Sequence, residues 1–313
     1  MRGGRSGGGV GGELARGVME AIAFGAEVQR ALEEGRPLVA LETSVLSHGL
    51  PGPWNARAAE AMDGAVRAGG AEPAWVWVDD GRVRVGATHE ELERLTGDDA
   101  AKVGRRDLPL AVAGGGLGGT TVSATVWAAG VAAIEVAATG GIGGVHPGTG
   151  DISADLGELA RTPVTLVCSG PKVILDPAAT LERLEELGVA VIGYRADRLP
   201  FFVVRDAGIP LEHRLDDPAA VAEVVRARGR LLTPSAIVVC QAVPEGAGLP
   251  ADRVAGAVAR CAERAARRGV VGKALTPFLL SCLADETDGA SLEANLALLE
   301  ANARLAAEIA SAV

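Results

Sequence analysis

The sequence predicts a three-layer α/β/α sandwich around a mostly parallel or mixed β-sheet. Three observations carry this expectation. Short apolar runs of strand length alternate with longer stretches of helical periodicity. The strand candidates are apolar throughout rather than alternating, as expected for a sheet covered on both faces. The chain has 313 residues, 48% hydrophobic and 22% charged, enough to bury one large core.

In chain order, residues 1–12 are rich in glycine, lack a hydrophobic signal core and read as a disordered tail. Residues 13–313 read as one domain, with no internal repeat and no low-complexity linker. A helical pattern covers 13–34 and stops at Gly35. Residues 37–42 (PLVALE) form a buried strand that ends on a carboxylate and enters a polar turn, 43–52, followed by a helix over 55–68. Residues 75–78 and 82–85 flank Asp-Asp-Gly, a hairpin signal. Thr88 and Glu91 make a capping box that opens the next helix. Further strands are expected at 108–113, 133–138, 164–168, 189–193 and 236–239. Helices are expected at 120–129, 152–159, 178–187, 219–227, 251–268 and 291–312.

Composition excludes some partners. A net charge of −10 argues against a nucleic-acid polymer, which is held by clustered basic residues, but not against a small phosphorylated substrate. No apolar stretch is long enough for a membrane span. The four cysteines, Cys168, Cys240, Cys261 and Cys282, have no paired spacing. That pattern fits a reducing cytoplasm better than a disulfide framework or a zinc site.

In open α/β sheets, ligands bind beyond the carboxyl ends of the strands. The turns there, at Glu42, 114–121, 139–155 and 169–172, hold most of the chain's unusual chemistry. Of 30 basic residues only Lys102, Lys172 and Lys273 are lysine. An amine can lose its proton and attack carbon where a guanidinium cannot. Lys172 follows Ser-Gly-Pro at the end of a strand, where a desolvated amine becomes a nucleophile able to form a Schiff base. Glu42, if partly buried, is a general acid or base. Lys102 lies in AKVGRRD, a basic cluster suited to phosphate. The segment 139–155, TGGIGGVHPGTGDISAD, is glycine-dense and opens a helix, as an anion site would. Asp151 and Asp155 at a helix start either share a face and hold a hard divalent ion, or serve as an ordinary cap and first-turn acid. His48 is a ligand contact or a structural histidine.

Taken together, ALETSVLSHGLP, KVGRRDLP, GGTTVSAT, ATGGIGGVH, DISADLGELA, SGPKVILD, VGKALTPFLL and SLEANLALLEANA resemble, in order, the signature blocks of the pseudouridine-5'-phosphate glycosidases, a family that includes indigoidine synthase A-like proteins. The resemblance covers about residues 38–309. It implies reversible cleavage of the C–C glycosidic bond of pseudouridine 5'-phosphate to ribose 5-phosphate and uracil. Glu42 would be the proton donor and Lys172 the nucleophile. Lys102, Val122, Ser153, Ala154 and Asp155 would contact substrate, with Thr139 and His146 near the phosphate. Asn295 would hold the base or opened sugar, and Asp151 a manganese ion (Mn2+). The implied fold is an α/β/α sandwich, assembled as a cytoplasmic homotrimer. The loop between His146 and Asp151 is shorter than the family pattern. Rival readings are an aldolase-type Schiff-base lyase, a silent sugar-phosphate-binding protein and a partner in pigment biosynthesis.

Overall fold

A computed structural model of the chain describes residues 21–97, 99–148 and 150–313. The expected tail over 1–12 lies outside them. In order, the elements are β1 (Ile22–Phe24), α1 (Ala26–Glu34), β2 (Leu38–Glu42), α2 (Trp54–Ala68), β3 (Glu72–Asp79), β4 (Arg82–Val85), α3 (His89–Leu95) and β5 (Ala101–Val103). Then come α4 (Leu108–Gly114), β6 (Gly118–Thr120), α5 (Val122–Val131), β7 (Val136–Ala138), α6 (Ala154–Leu159), β8 (Thr165–Cys168) and α7 (Pro177–Glu186). The chain ends with β9 (Ala190–Tyr194), β10 (Arg214–Leu215), α8 (Pro218–Leu231), β11 (Ile237–Gln241), α9 (Ala251–Arg267), α10 (Leu275–Glu286) and α11 (Ala290–Ala312).

These strands form one sheet, ordered β1-β4-β3-β2-β7-β8-β11-β9-β10, with β6 pairing β3 and β5. The β3–β4 and β3–β6 pairs are antiparallel, and the remaining pairs are parallel. Side chains alternate across a strand, so β2 feeds two cores. Val39 and Leu41 pack with Met62 of α2 and Leu298 of α11. Leu38 and Ala40 pack with Val126 of α5 and Leu159 of α6. Helices therefore cover both faces, giving the expected three layers. The hairpin turn has positive φ at Asp80 and Gly81, as the Asp-Gly pair allows. The Thr88–Glu91 capping box is present at α3.

Four expectations are corrected. The helix expected over 13–34 begins at Ala26, because Ile22–Phe24 pairs with β4 and satisfies main-chain groups on its free edge. Its first residues, 13–20, lie outside the described residues. The expected strand at 108–113 is helix α4: Pro109 sits in its first turn, where a missing N–H costs nothing, and Leu110 is 75% exposed rather than buried. Residues 118–120, read as part of a turn, are strand β6; an added Cβ at Gly119 would lie 2.2 Å from Ser47 Oγ, so the strand needs glycine and carries no apolar signal. The cysteines are not four isolated thiols. Helices α9 and α10 pack together and bring Cys261 and Cys282 into a disulfide across 21 residues, while Cys168 and Cys240 are free and buried. No described helix is long and apolar enough to cross a membrane.

The turn from β8 toward Lys172 depends on Gly170. Its φ is +75°, and a Cβ there would lie 1.9 Å from the Pro200 carbonyl oxygen. Gly170→Ala is expected to destabilise the fold by about 3 kcal/mol or more through strain plus clash. Urea unfolding checks this, and an unchanged midpoint would contradict it.

Candidate active site

Glu42, Thr139 and Ser169 end or directly follow the neighbouring strands β2, β7 and β8. Glu42 is buried, and its two carboxylate oxygens accept hydrogen bonds from Ser44 Oγ and Thr139 Oγ1. Lys172 is brought round by the Ser169–Gly170–Pro171 turn, and its Nζ donates to the Gly141 carbonyl at 2.6 Å. Amine and carboxylate open onto one cavity of about 300 Å³.

Of the residues expected from sequence, Lys102, Thr139, His146, Asp151, Ser153, Ala154, Asp155 and Asn295 also line this cavity. Val122 does not. Its side chain is buried in the core at the start of α5, between the lining residues Thr121 and Ser123, so only its main chain is placed to meet a ligand. Asn295, on α11, has a buried Oδ1 with no hydrogen-bond partner among the described residues. An acceptor held this way costs stability unless a ligand supplies a donor.

The acidic pair does not share a helix face. Helix α6 starts at Ala154 with Ser153 as its cap, so Asp151 lies outside it. The cap is therefore not Asp151, because the chain first pairs Val145 with Ile152, and His146 N–H donates to the Asp151 carbonyl at 2.9 Å. This closes the short loop into a hairpin. Asp155 is occupied as a brace. Its two oxygens accept the Ser123 N–H and the Gly143 N–H, each at 2.9 Å, joining α5 to the glycine-rich segment. A Cβ at Gly143 would lie 2.2 Å from Ser153 Oγ, so close packing as well as ligand access demands glycine there.

Among the described residues no group of three or more His, Cys, Asp or Glu converges as a metal site. Asp151, a hard-oxygen side chain, lines the cavity, and its chemistry would suit a hard divalent ion that keeps most of its waters.

The cavity gathers four cationic side chains, Lys102, Arg106, Lys172 and Lys273, beside four acids, Glu42, Asp107, Asp151 and Asp155. Lys102 is held below the usual lysine range, first by burial and then by the charge of Lys172. His48 is lowered by burial and then by Lys102, and His146 by burial and Lys102 against the opposing pull of Asp151. Both imidazoles are thereby favoured in the neutral form. The basic cluster after Lys102 divides. Arg106 lines the cavity, but Arg105 turns away, with Cζ 4.6 Å from the Trp127 ring centroid and Nε 3.7 Å from Glu158.

Several lining residues carried no assignment from sequence, among them Ser44, Asp107 and Phe202. Ser44 stands two residues beyond Glu42, the one local signal of its role. Lys273, which had no assigned chemistry, reaches Asp107 at 2.7 Å across the mouth of the cavity.

Fold and site define an α/β protein with an amine, Lys172, and a buried carboxylate, Glu42, on one cavity. The chain belongs to the indigoidine synthase A-like family, whose model matches residues 27–312. It is 53% identical over 289 residues to a pseudouridine-5'-phosphate glycosidase of Rhodospirillum centenum, covering 91% of this chain and 90% of that one. It is 50% identical over 294 residues to the protein of the same name from Methylobacterium nodulans, covering 93% and 87%. Among solved structures, an indigoidine synthase A-like protein of Thermotoga maritima superposes with a TM-score of 0.85 at 37% identity, covering 92% of this chain and 95% of that one. Prealnumycin C-glycosynthase AlnA, solved with ribulose 5-phosphate, gives 0.85 and 37%, with 94% and 97% coverage.

Sulfate, whose charge is constant across neutral and alkaline pH, probes the basic residues of the cavity around Lys102. Its affinity should fall as pH rises through the depressed Lys102 pKa, below the ordinary 10.5. In Lys102→Arg the guanidinium stays protonated, so the fall should shift to higher pH. Calorimetric titration across pH checks this, and identical profiles would assign the anion to other cations.

Proposed function

We propose that this chain catalyses the reversible cleavage of pseudouridine 5'-phosphate to ribose 5-phosphate and uracil, with Lys172 as covalent nucleophile and Glu42 as proton donor. The observation that carries it is the convergence of the Lys172 amine and the buried Glu42 carboxylate on a single cavity that Lys102 and Arg106 also line. The names of the relatives support the substrate, and the ribulose 5-phosphate bound by AlnA supports a pentose phosphate.

A C–C glycosidic bond offers no leaving oxygen for paired carboxylates to protonate. The route therefore runs through the sugar. The C1'–O4' bond breaks with a proton passing to O4', and Lys172 Nζ bonds to C1'. Glu42 protonates C5 of the base. The C1'–C5 bond then breaks, its electron pair returning to the uracil ring, while the nitrogen lone pair forms the C1'=N iminium. Water releases ribose 5-phosphate and regenerates the amine.

Before it attacks, the Lys172 amine swings from the Gly141 carbonyl. Thr139 and Ser44 hold the Glu42 carboxylate at the cavity wall. Lys102 and Arg106 provide charge for the phosphate, whose binding energy orients the reacting carbon. The open Asn295 Oδ1 suits an N–H of the base. Asp151 would hold a manganese ion, which when bound would supply positive charge to order phosphate and water. The same reading includes a homotrimer in the cytoplasm. The disulfide removes the thiol argument for that compartment, so the phosphorylated substrate now supports it.

Incubated with ribose 5-phosphate, uracil and manganese, the purified protein should form pseudouridine 5'-phosphate, and no product would refute the assignment. Borohydride should fix the sugar phosphate on Lys172; an equal adduct in Lys172→Arg would show a different nucleophile. Glu42→Ala should fold and lose roughly 100-fold or more in turnover. Manganese binding followed by electron paramagnetic resonance should weaken in Asp151→Ala, and equal binding would place the ion elsewhere.

A further inference from the structure

We propose that Asn302 is the positioning residue that holds the acid and the nucleophile in register, an inference that rests on the function proposed above. Asn302 lies on α11, about two turns beyond Asn295, in a stretch otherwise lined by Leu298, Leu299, Ala303 and Ala306. It is fully buried among them, where an apolar residue would pack at no desolvation cost. Its amide is instead spent on the strand ends. Nδ2 donates to the Thr139 carbonyl at 2.9 Å and lies 3.4 Å from the Gly140 carbonyl and 3.1 Å from Ser169 Oγ. Gln241 Nε2 donates to Oδ1 at 3.4 Å. Only the amide nitrogen can face two carbonyls, so the orientation of the group is fixed by its neighbours.

Each of these contacts precedes a reacting group by a few bonds. Thr139 is the residue whose hydroxyl holds Glu42. Gly140 leads to Gly141, whose carbonyl holds Lys172 Nζ, and Ser169 opens the turn that carries Lys172. One amide thus ties the main chain that follows β7, which carries the hydroxyl holding Glu42, to the Ser169 side chain that follows β8, where the turn to Lys172 begins. Asn302 does not itself line the cavity; it acts through the wall residues Thr139 and Gly140, so its loss is expected to be felt in turnover more than in sugar affinity.

Asn302→Leu keeps the helix and nearly the volume but donates nothing. With wild-type synthesis from ribose 5-phosphate and uracil measured first, kcat should fall roughly 10- to 100-fold while KM for ribose 5-phosphate stays within about threefold. The rate of borohydride-trapped adduct formation at saturating sugar should fall in proportion. A folded variant with kcat within about threefold of wild type, or a loss expressed only in KM, overturns the proposal. Should Asn302→Leu not accumulate, Ser169→Ala decides: a lowered kcat at constant KM supports the role, and unchanged kcat overturns it. An inactive wild-type protein would instead refute the function on which the inference rests.

Discussion

Three parallel strands, β2, β7 and β8, stand side by side in the middle of the sheet, with Leu41 opposite Ala138 and Ala138 opposite Val167. Because they run in one direction, their carboxyl ends are level, and the residues that end or follow them emerge at one edge. That pairing makes neighbours of Glu42, Thr139 and the turn to Lys172, which are far apart in the chain. A slip of one residue in β2 would exchange its two core faces and send Glu42 out of the site. The helices on either face hold the register by filling two cores at once. α11 does more, crossing beneath the strand ends with Asn295 toward the cavity and Asn302 toward the main chain.

Charge is arranged locally against the global balance. The chain is strongly acidic, yet Lys102, Lys172, Arg106 and Lys273 are gathered around one cavity. Most acids near them are engaged: Glu42 by hydroxyls, Asp155 by two main-chain N–H groups and Asp107 by Lys273 and the Gly104 N–H. Burial and mutual repulsion lower Lys102, so part of the cost of gathering cations is met by weakening their hold on protons. A bound phosphate would relieve that repulsion, which is why such a pocket favours an anion.

Much of this was legible in the chain. Strands 37–42, 164–168 and 236–239 and the long terminal helix announce themselves by apolar runs and periodicity. Glu42 and Lys172 stand out because a carboxylate ends an apolar run and a lysine survives among arginines. The failures have physical causes. Residues 108–113 are apolar although only Leu108 is buried, so their composition imitates a strand. β6 is built of two glycines and a threonine, chosen for the nearness of Ser47, and has no pattern to read. Asp151 and Asp155 have helical spacing, but the hairpin at Val145–Ile152 takes Asp151 out of the helix. Cys261 and Cys282 have no motif spacing, since only the packing of α9 on α10 joins them.

By itself the sequence determined the three-layer fold and singled out Lys172 and Glu42, which the structure brings onto one cavity. Hydrophobic period and residue chemistry are local properties, and a short window contains them. Tertiary structure alone decided what each polar side chain is attached to. It made Asp155 a brace, turned Arg105 onto Trp127, left the Asn295 oxygen open and tied Asn302 to two strand ends. Those outcomes depend on directed hydrogen bonds between segments distant in the chain, whose geometry exists only once the sheet has set its register.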